Sequence, residues 1–221
     1  MEIIDYLARW GHFLFGITWI GLLYYFNFIQ GAYFKEAEDS ARVDAFTKLV
    51  PRAMWYFRWA ALMTFLTGII LLAYLGQATS VDITLGAVLG TLMFLNVWLI
   101  IWPNQRILIE SNQKVKDGGE ALPEAAAAAP KALLASRTNT MFSFPMLFLM
   151  GSSAHLPTSA GVGHGMLTQA SALQLVVPLI LIAILELNAI VGKQGPMASV
   201  KGVIICGLVL TAVLFGLLEV L

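Results

Sequence analysis

Residues 4–28 read I-D-Y-L-A-R-W-G-H-F-L-F-G-I-T-W-I-G-L-L-Y-Y-F-N-F, and this run decides the fold. As an α-helix, at about 1.5 Å per residue, it is long enough to cross a hydrocarbon core roughly 30 Å thick. The chain opens M-E-I-I-D, acidic rather than basic, and the apolar run is too long for a cleavable signal. It reads as a span kept in the mature protein.

The rest of the chain has the same character. Of its 221 residues, 59% are hydrophobic and 12% charged, and the mean hydropathy is +0.80. Soluble domains carry about 25% charged residues, so this is an integral membrane protein in a lipid bilayer. Basic and acidic residues balance at 13 each, which gives no bulk charge for nucleic acid. The lone cysteine, Cys206, excludes a disulfide framework and a CxxCH haem-attachment motif.

Five further apolar runs follow, at residues 53–75, 81–102, 140–154, 173–191 and 200–218. The fourth is the shortest and least apolar, and an earlier start near Ser136 would lengthen it. Pro145 and Pro178 fall inside spans four and five, where membrane helices tolerate them as kinks. The expected fold is all-α: one domain over residues 1–221, a bundle of about six transmembrane helices.

Basic residues set the orientation. Lys35, Arg42, Lys48 and Arg52 lie between spans one and two, and Arg106, Lys114, Lys116, Lys131 and Arg137 between spans three and four. Lys193 and Lys201 lie between spans five and six, whereas residues 76–80 and 155–172 hold no lysine or arginine. By the positive-inside rule both termini face outward. Trp55, Tyr56, Trp59, Trp98 and Trp102 then form an inner aromatic belt, with Tyr6 and Trp10 at the outer one. Within the long inner connection, residues 105–115 predict an amphipathic helix ended by Gly118 and Gly119. The run P-E-A-A-A-A-A-P reads as a spacer.

His12 is the one histidine these spans place inside the membrane, and an ionisable group at that depth is a functional-site hypothesis. Gly16 lies one turn below it on the same face, which leaves room for a flat ligand. His155, at the outward end of span four, could join His12 in ligating a haem iron axially, if spans one and four are neighbours. Arg9, one turn above His12, could pair with a haem propionate or a substrate anion, or snorkel to the outer interface. His164, in the loop G-V-G-H-G, reads as a solvent-exposed loop histidine. At the inner side a second polar group gathers Arg58, Asn104, Arg106, Arg137, Asn139 and Glu186. Glu186 needs a partner, with Arg58 or Arg137 as candidates, and Asn96 is expected to hydrogen-bond between helices.

Four segments carry a family resemblance: R-W-G-H-F-L-F-G-I-T-W-I-G at residues 9–21, R-A-M-W-Y-F-R-W-A at 52–60, I-I-W-P-N-Q-R at 100–106, and S-R-T-N-T-M-F-S-F-P-M-L-F-L-M at 136–150. They resemble the membrane domain of the bacterial membrane-bound urate oxidases (urate hydroxylase, PuuD type), over roughly the first 155 residues. Spans five and six read as generic apolar helices. The resemblance implies an inner-membrane redox protein that oxidises urate or a similar small heterocycle. In the family a c-type cytochrome domain follows the membrane domain. No CxxCH is present here, so the expectation is a separate cytochrome as electron acceptor. Thr138 stands near a position where the family often carries a histidine. Span one also looks like the first helix of the membrane protoporphyrinogen oxidase type, in which a histidine at the place of His12 ligates haem. The expected cofactor is therefore haem b. A rival expectation is a non-catalytic accessory subunit of a larger membrane electron-transfer complex.

Overall fold

The computed structural model describes residues 2–158 and 161–221. Helix α1 (Glu2–Tyr24) continues through π-helical turns at Tyr25–Gln30 into α2 (Gly31–Glu36), and α3 (Asp39–Leu75) returns. Helix α4 (Val81–Leu95) runs through a second π-helical stretch, Asn96–Ile101, into α5 (Trp102–Lys116). Then come α6 (Ala125–His155), α7 (Ala172–Val191) and α8 (Val200–Val220). Strands β1 (Pro157–Thr158) and β2 (Gly161–Val162) make a two-residue antiparallel ladder in the connection between α6 and α7. The all-α membrane bundle expected from the sequence is what forms.

Local chemistry sets the helix ends. Ser80, Ser171 and Ser199 cap α4, α7 and α8 by accepting from the N–H of Ile83, Gln174 and Gly202. Gln174 completes a capping box with Ser171. Gly76, at a φ of 48°, ends α3 in a conformation that side chains disfavour. Pro103, which has no N–H for the carbonyl of Leu99, follows one residue after the wide turns of Asn96–Ile101.

Five helical segments are long and apolar enough to cross a membrane: Glu2–Glu36, Asp39–Ala78, Val81–Lys116, Ala172–Val191 and Val200–Val220. The remaining long helix, α6, owes its lower hydropathy to its place. It packs against α1, α4, α5, α7 and α8, so its buried residues face protein rather than lipid. Arg137, Thr138, Asn139, Thr140, Ser143 and Ser152 are all buried on it. Polar side chains inside a bundle find partners on other helices, which lipid cannot supply.

Small residues bring the helices together. Gly86 and Gly90 of α4 lie under Met146 and Met150 of α6, and a Cβ on Gly207 of α8 would fall 2.5 Å from Cδ2 of Phe144. Leu23, Phe57, Leu85, Leu89, Phe142, Leu149 and Leu214 fill the interior. Phe13, Ile17, Ile184 and Leu187 cover the lipid-facing surface of α1 and α7.

Candidate functional site

The inner polar group is built on α6, where the consecutive residues 136–140 reach toward different neighbours. Ser136 Oγ accepts from Asn27 Nδ2 at 2.8 Å, and Ser143, two turns on, shares a 2.9 Å hydrogen bond with Tyr24 Oη. Both partners belong to the first span. On another side, Asn96 Nδ2 donates to Asn139 Oδ1 at 2.9 Å and lies 3.1 Å from Glu186 Oε2. Asn139 Nδ2 in turn donates to the carbonyl of Met93 at 2.9 Å. Each π-helical stretch thus turns an asparagine, Asn27 or Asn96, toward α6. Such wide turns recur at functional sites.

Glu186 has its partner, but not the one expected. Neither Arg58 nor Arg137 forms an ion pair with it among the described residues, and the carboxylate takes the neutral amide of Asn96 instead. Arg58 is held elsewhere by tryptophans. Its guanidinium carbon sits 4.0 Å from the ring centre of Trp102, 5.8 Å from Trp98 and 5.9 Å from Trp59. Trp59 and Trp98 are themselves edge to face at 5.6 Å. Three residues expected as membrane anchors therefore wrap a cation.

Arg137 is buried, and its Nε and Nη1 find no hydrogen-bond partner among the described residues. Thr138 beside it is fully buried with an unpaired hydroxyl. Asn104 Nδ2 donates to the carbonyl of Ile100 at 2.7 Å, which closes the turn around Pro103. Arg106 is exposed one turn beyond Trp102.

Toward the outer side, His12 is half-buried against α3, where its Nδ1 lies 3.0 Å from Thr67 Oγ1. That hydroxyl has one proton, and it sits 2.7 Å from the carbonyl of Met63 and 3.0 Å from that of Thr64. The proton is committed to the backbone, so Thr67 accepts from His12 Nδ1–H and the lone pair resides on Nε2. The room expected beside Gly16 is taken by α3, whose Thr64 Cγ2 would lie 3.9 Å from a Cβ there. Arg9 pairs with Asp5 at 3.0 Å on the exposed face of α1. His155 is exposed as the last residue of α6. Helices α1 and α6 run antiparallel through the Tyr24–Ser143 and Asn27–Ser136 hydrogen bonds, and His12 and His155 each lie 12 residues beyond the first of these toward the same end of the bundle.

His164 overturns the sequence expectation. It is buried, not a solvated loop residue: its Nδ1 lies 2.9 Å from Asp82 Oδ1, its Nε2 3.2 Å from Glu219 Oε1, and its backbone N–H donates to Asp82 Oδ2 at 2.7 Å. Asp82 is fully buried and also accepts from Ser152 Oγ. The loop folds back because Gly163 and Gly165 adopt φ values of 63° and 88°, and Val81 N–H then reaches the carbonyl of Gly165 at 3.1 Å. The signal in the sequence was Asp82, an acid inside the third apolar run that needed a partner.

Residues 76–212 match the family described as Urate oxidase N-terminal. The chain belongs to this family. The matched stretch of the urate oxidase N-terminal family takes in Asn96, Asn104, Arg106, Arg137, Asn139 and Glu186, and the outer pair of Asp82 and His164. His12 and Arg58 precede it. It also covers span five and span six as far as residue 212, which the sequence resemblance had treated as generic, and span five carries Glu186, bonded to Asn96. No curated protein and no solved structure matches the chain.

Proposed function

We propose that the chain is the membrane part of a urate oxidase-like redox system, which oxidises urate or a similar small heterocycle and passes the electrons to a cytochrome. Family membership supports the substrate class. The observation that carries the redox reading is the 3.0 Å hydrogen bond between His12 Nδ1 and Thr67 Oγ1. With Nδ1–H given to Thr67, Nε2 presents a lone pair on a rigid helix pair, which is how a metal-ligating histidine is oriented by its second partner. The donor chemistry therefore fits one axial ligand to a b-type haem, which supplies one-electron transfer when bound.

Arg9 lies one turn toward the outer end and is tied only to Asp5 in an exposed pair, a weak interaction that a propionate can replace. His155, toward the same end of the bundle on α6, remains the candidate second ligand. The chain's own work is to fix the imidazole and keep water from it.

The test is the reduced-minus-oxidised visible spectrum of the purified full chain. A b-type signal in the wild type that disappears in His12→Ala supports the reading. An unchanged signal in that variant overturns the ligand, and a colourless wild type overturns the cofactor and favours a non-catalytic subunit.

A further inference from the structure

A titratable cluster outside the proposed redox site lies where the connection between α6 and α7 meets α4 and α8. His164 is buried there with a carboxylate at each ring nitrogen: Asp82 Oδ1 lies 2.9 Å from Nδ1, and Glu219 Oε1 lies 3.2 Å from Nε2. Asp82 stands in the first turn of α4, and Glu219 is the penultimate residue of α8. Their surroundings differ, because the Asp82 side chain is fully buried while that of Glu219 is half exposed.

Counting protons decides what the ring must be. An ionised carboxylate only accepts, and a neutral imidazole has one N–H, so it satisfies one neighbour and turns a lone pair on the other. Asp82 has the prior claim, since it also accepts from the backbone N–H of His164 and from Ser152 Oγ. Glu219 is then served only by a second ring proton. Asp82 from α4 and Glu219 from α8 are the charged groups that meet the ring among the described residues. Helix α6 brings the neutral Ser152 to Asp82, and α8 also sets the ring of Phe215 edge-on to His164 at 5.4 Å. His155, at the end of α6, bonds to none of them.

We propose that His164 is a pH-sensitive clasp between the α6–α7 connection and the end of α8: the imidazolium bridges Asp82 and Glu219, and the neutral ring keeps Asp82 but lets go of Glu219. Histidine is the side chain that changes charge across the physiological pH range. The proton leaves from Nε2 on the half-exposed side, while Nδ1–H stays with the buried acid. The Glu219 contact therefore stabilises the fold at acid pH and is lost as pH rises. The connection itself stays in place, because bonds independent of the ring charge hold it. Besides His164 N–H to Asp82, Val81 N–H donates to the carbonyl of Gly165 at 3.1 Å and Leu167 N–H to that of Thr79 at 2.9 Å. Among the described residues no backbone hydrogen bond ties the connection to α8, so it is the end of α8 that is released. The clasp is independent of the redox reading and needs no haem.

Thermal unfolding of the full chain in detergent tests it, on wild type and Glu219→Gln at about pH 5.5 and about pH 8.5, either side of the ordinary histidine range. Comparing the two proteins at one pH cancels the titration of His12, His155 and the other carboxylates. Glu219→Gln should lower the midpoint by about 1–3 °C at the acid pH and by less than about 0.5 °C at the alkaline one. In a His164→Gln background, which keeps an amide donor for Asp82, Glu219→Gln should have no effect at either pH. Hydrogen exchange of the last two turns of α8, corrected for intrinsic rates, should quicken about threefold in wild type from the lower to the higher pH. In Glu219→Gln it should be fast at both.

An equal loss at both pH values, or a larger one at the alkaline pH, overturns the clasp. A pH-dependent loss that persists in the His164→Gln background overturns it as well. So does stabilisation at the alkaline pH by added zinc that a chelator reverses, which assigns Nε2 and Glu219 to a metal. If His164→Gln fails to fold, the exchange comparison of wild type with Glu219→Gln still decides, because Glu219 is half exposed and its amide keeps the shape.

Discussion

His164 and Asp82, 82 residues apart in the chain, meet through both the imidazole Nδ1 and the backbone N–H of the histidine, at 2.9 and 2.7 Å. Asp82 is wholly buried, and Ser152 is its other side-chain partner. One carboxylate thus fastens the outer loop to the starts and ends of three helices. His164→Ala removes one of the donors to a buried acid and should cost about 1–3 kcal/mol. Glu219→Gln touches a side chain 46% exposed and should cost less than about 1 kcal/mol. Thermal unfolding in detergent separates the two, and equal losses would mean that Asp82 does not depend on the imidazole.

Asn96 serves two acceptors, Asn139 Oδ1 and Glu186 Oε2, from one amide. Asn96→Leu strands both and should destabilise by about 1–3 kcal/mol. Glu186→Gln keeps an amide oxygen for Asn96 and should stay within about 1 kcal/mol of wild type. A large loss in Glu186→Gln alone would show that the charge, not the hydrogen bond, is what the site requires.

Thr67 holds the His12 ring by one hydrogen bond. In Thr67→Val the shape is retained but the ring keeps only its backbone partner at Thr64, so haem affinity should fall, by up to about 10-fold, while the helix pair stays folded. Haem titration alongside circular dichroism measures both. Unchanged affinity would detach Thr67 from the ligand's orientation.

Gly207 and Gly216 sit on the same helix with opposite surroundings. A Cβ at Gly207 would lie 2.5 Å from Phe144 Cδ2, whereas nothing lies within 4 Å of one at Gly216. Gly207→Ala should cost about 1–3 kcal/mol by overpacking. Gly216→Ala should be neutral, or stabilise by up to about 1 kcal/mol through helix propensity. If both are neutral, α8 does not pack on α6 as closely as described.

Hydropathy made the membrane helices legible, because lipid-facing residues such as Ile17 and Ile184 must be apolar whatever the function. The same rule understates α6, whose neighbours are protein. His12, Asn96, Asn139 and Glu186 could be picked out as polar groups within apolar runs. Their partners could not: the sequence paired Glu186 with an arginine by charge, and geometry gave it Asn96. His164 was missed because loop composition reads as exposure, while its partners lie 82 and 55 residues away. The tryptophans around Arg58 were visible as aromatics at an interface, but only the packing of α3 on α5 shows that they enclose a cation.

The polar stretch of α6 has a consequence for how the protein is made. Arg137, Thr138, Asn139 and Thr140 in one turn make this helix a poor candidate for entering the bilayer by its own partitioning, since buried polar side chains oppose insertion until partners receive them. Its entry must be assisted by helices already in place. Those emerging earlier in synthesis, α1 with Asn27 and α4 with Asn96 and the carbonyl of Met93, carry the groups that receive it. Biogenesis of this bundle is therefore cooperative at α6, and defects in Asn27 or Asn96 should surface as failed docking of α6 before they surface as lost activity.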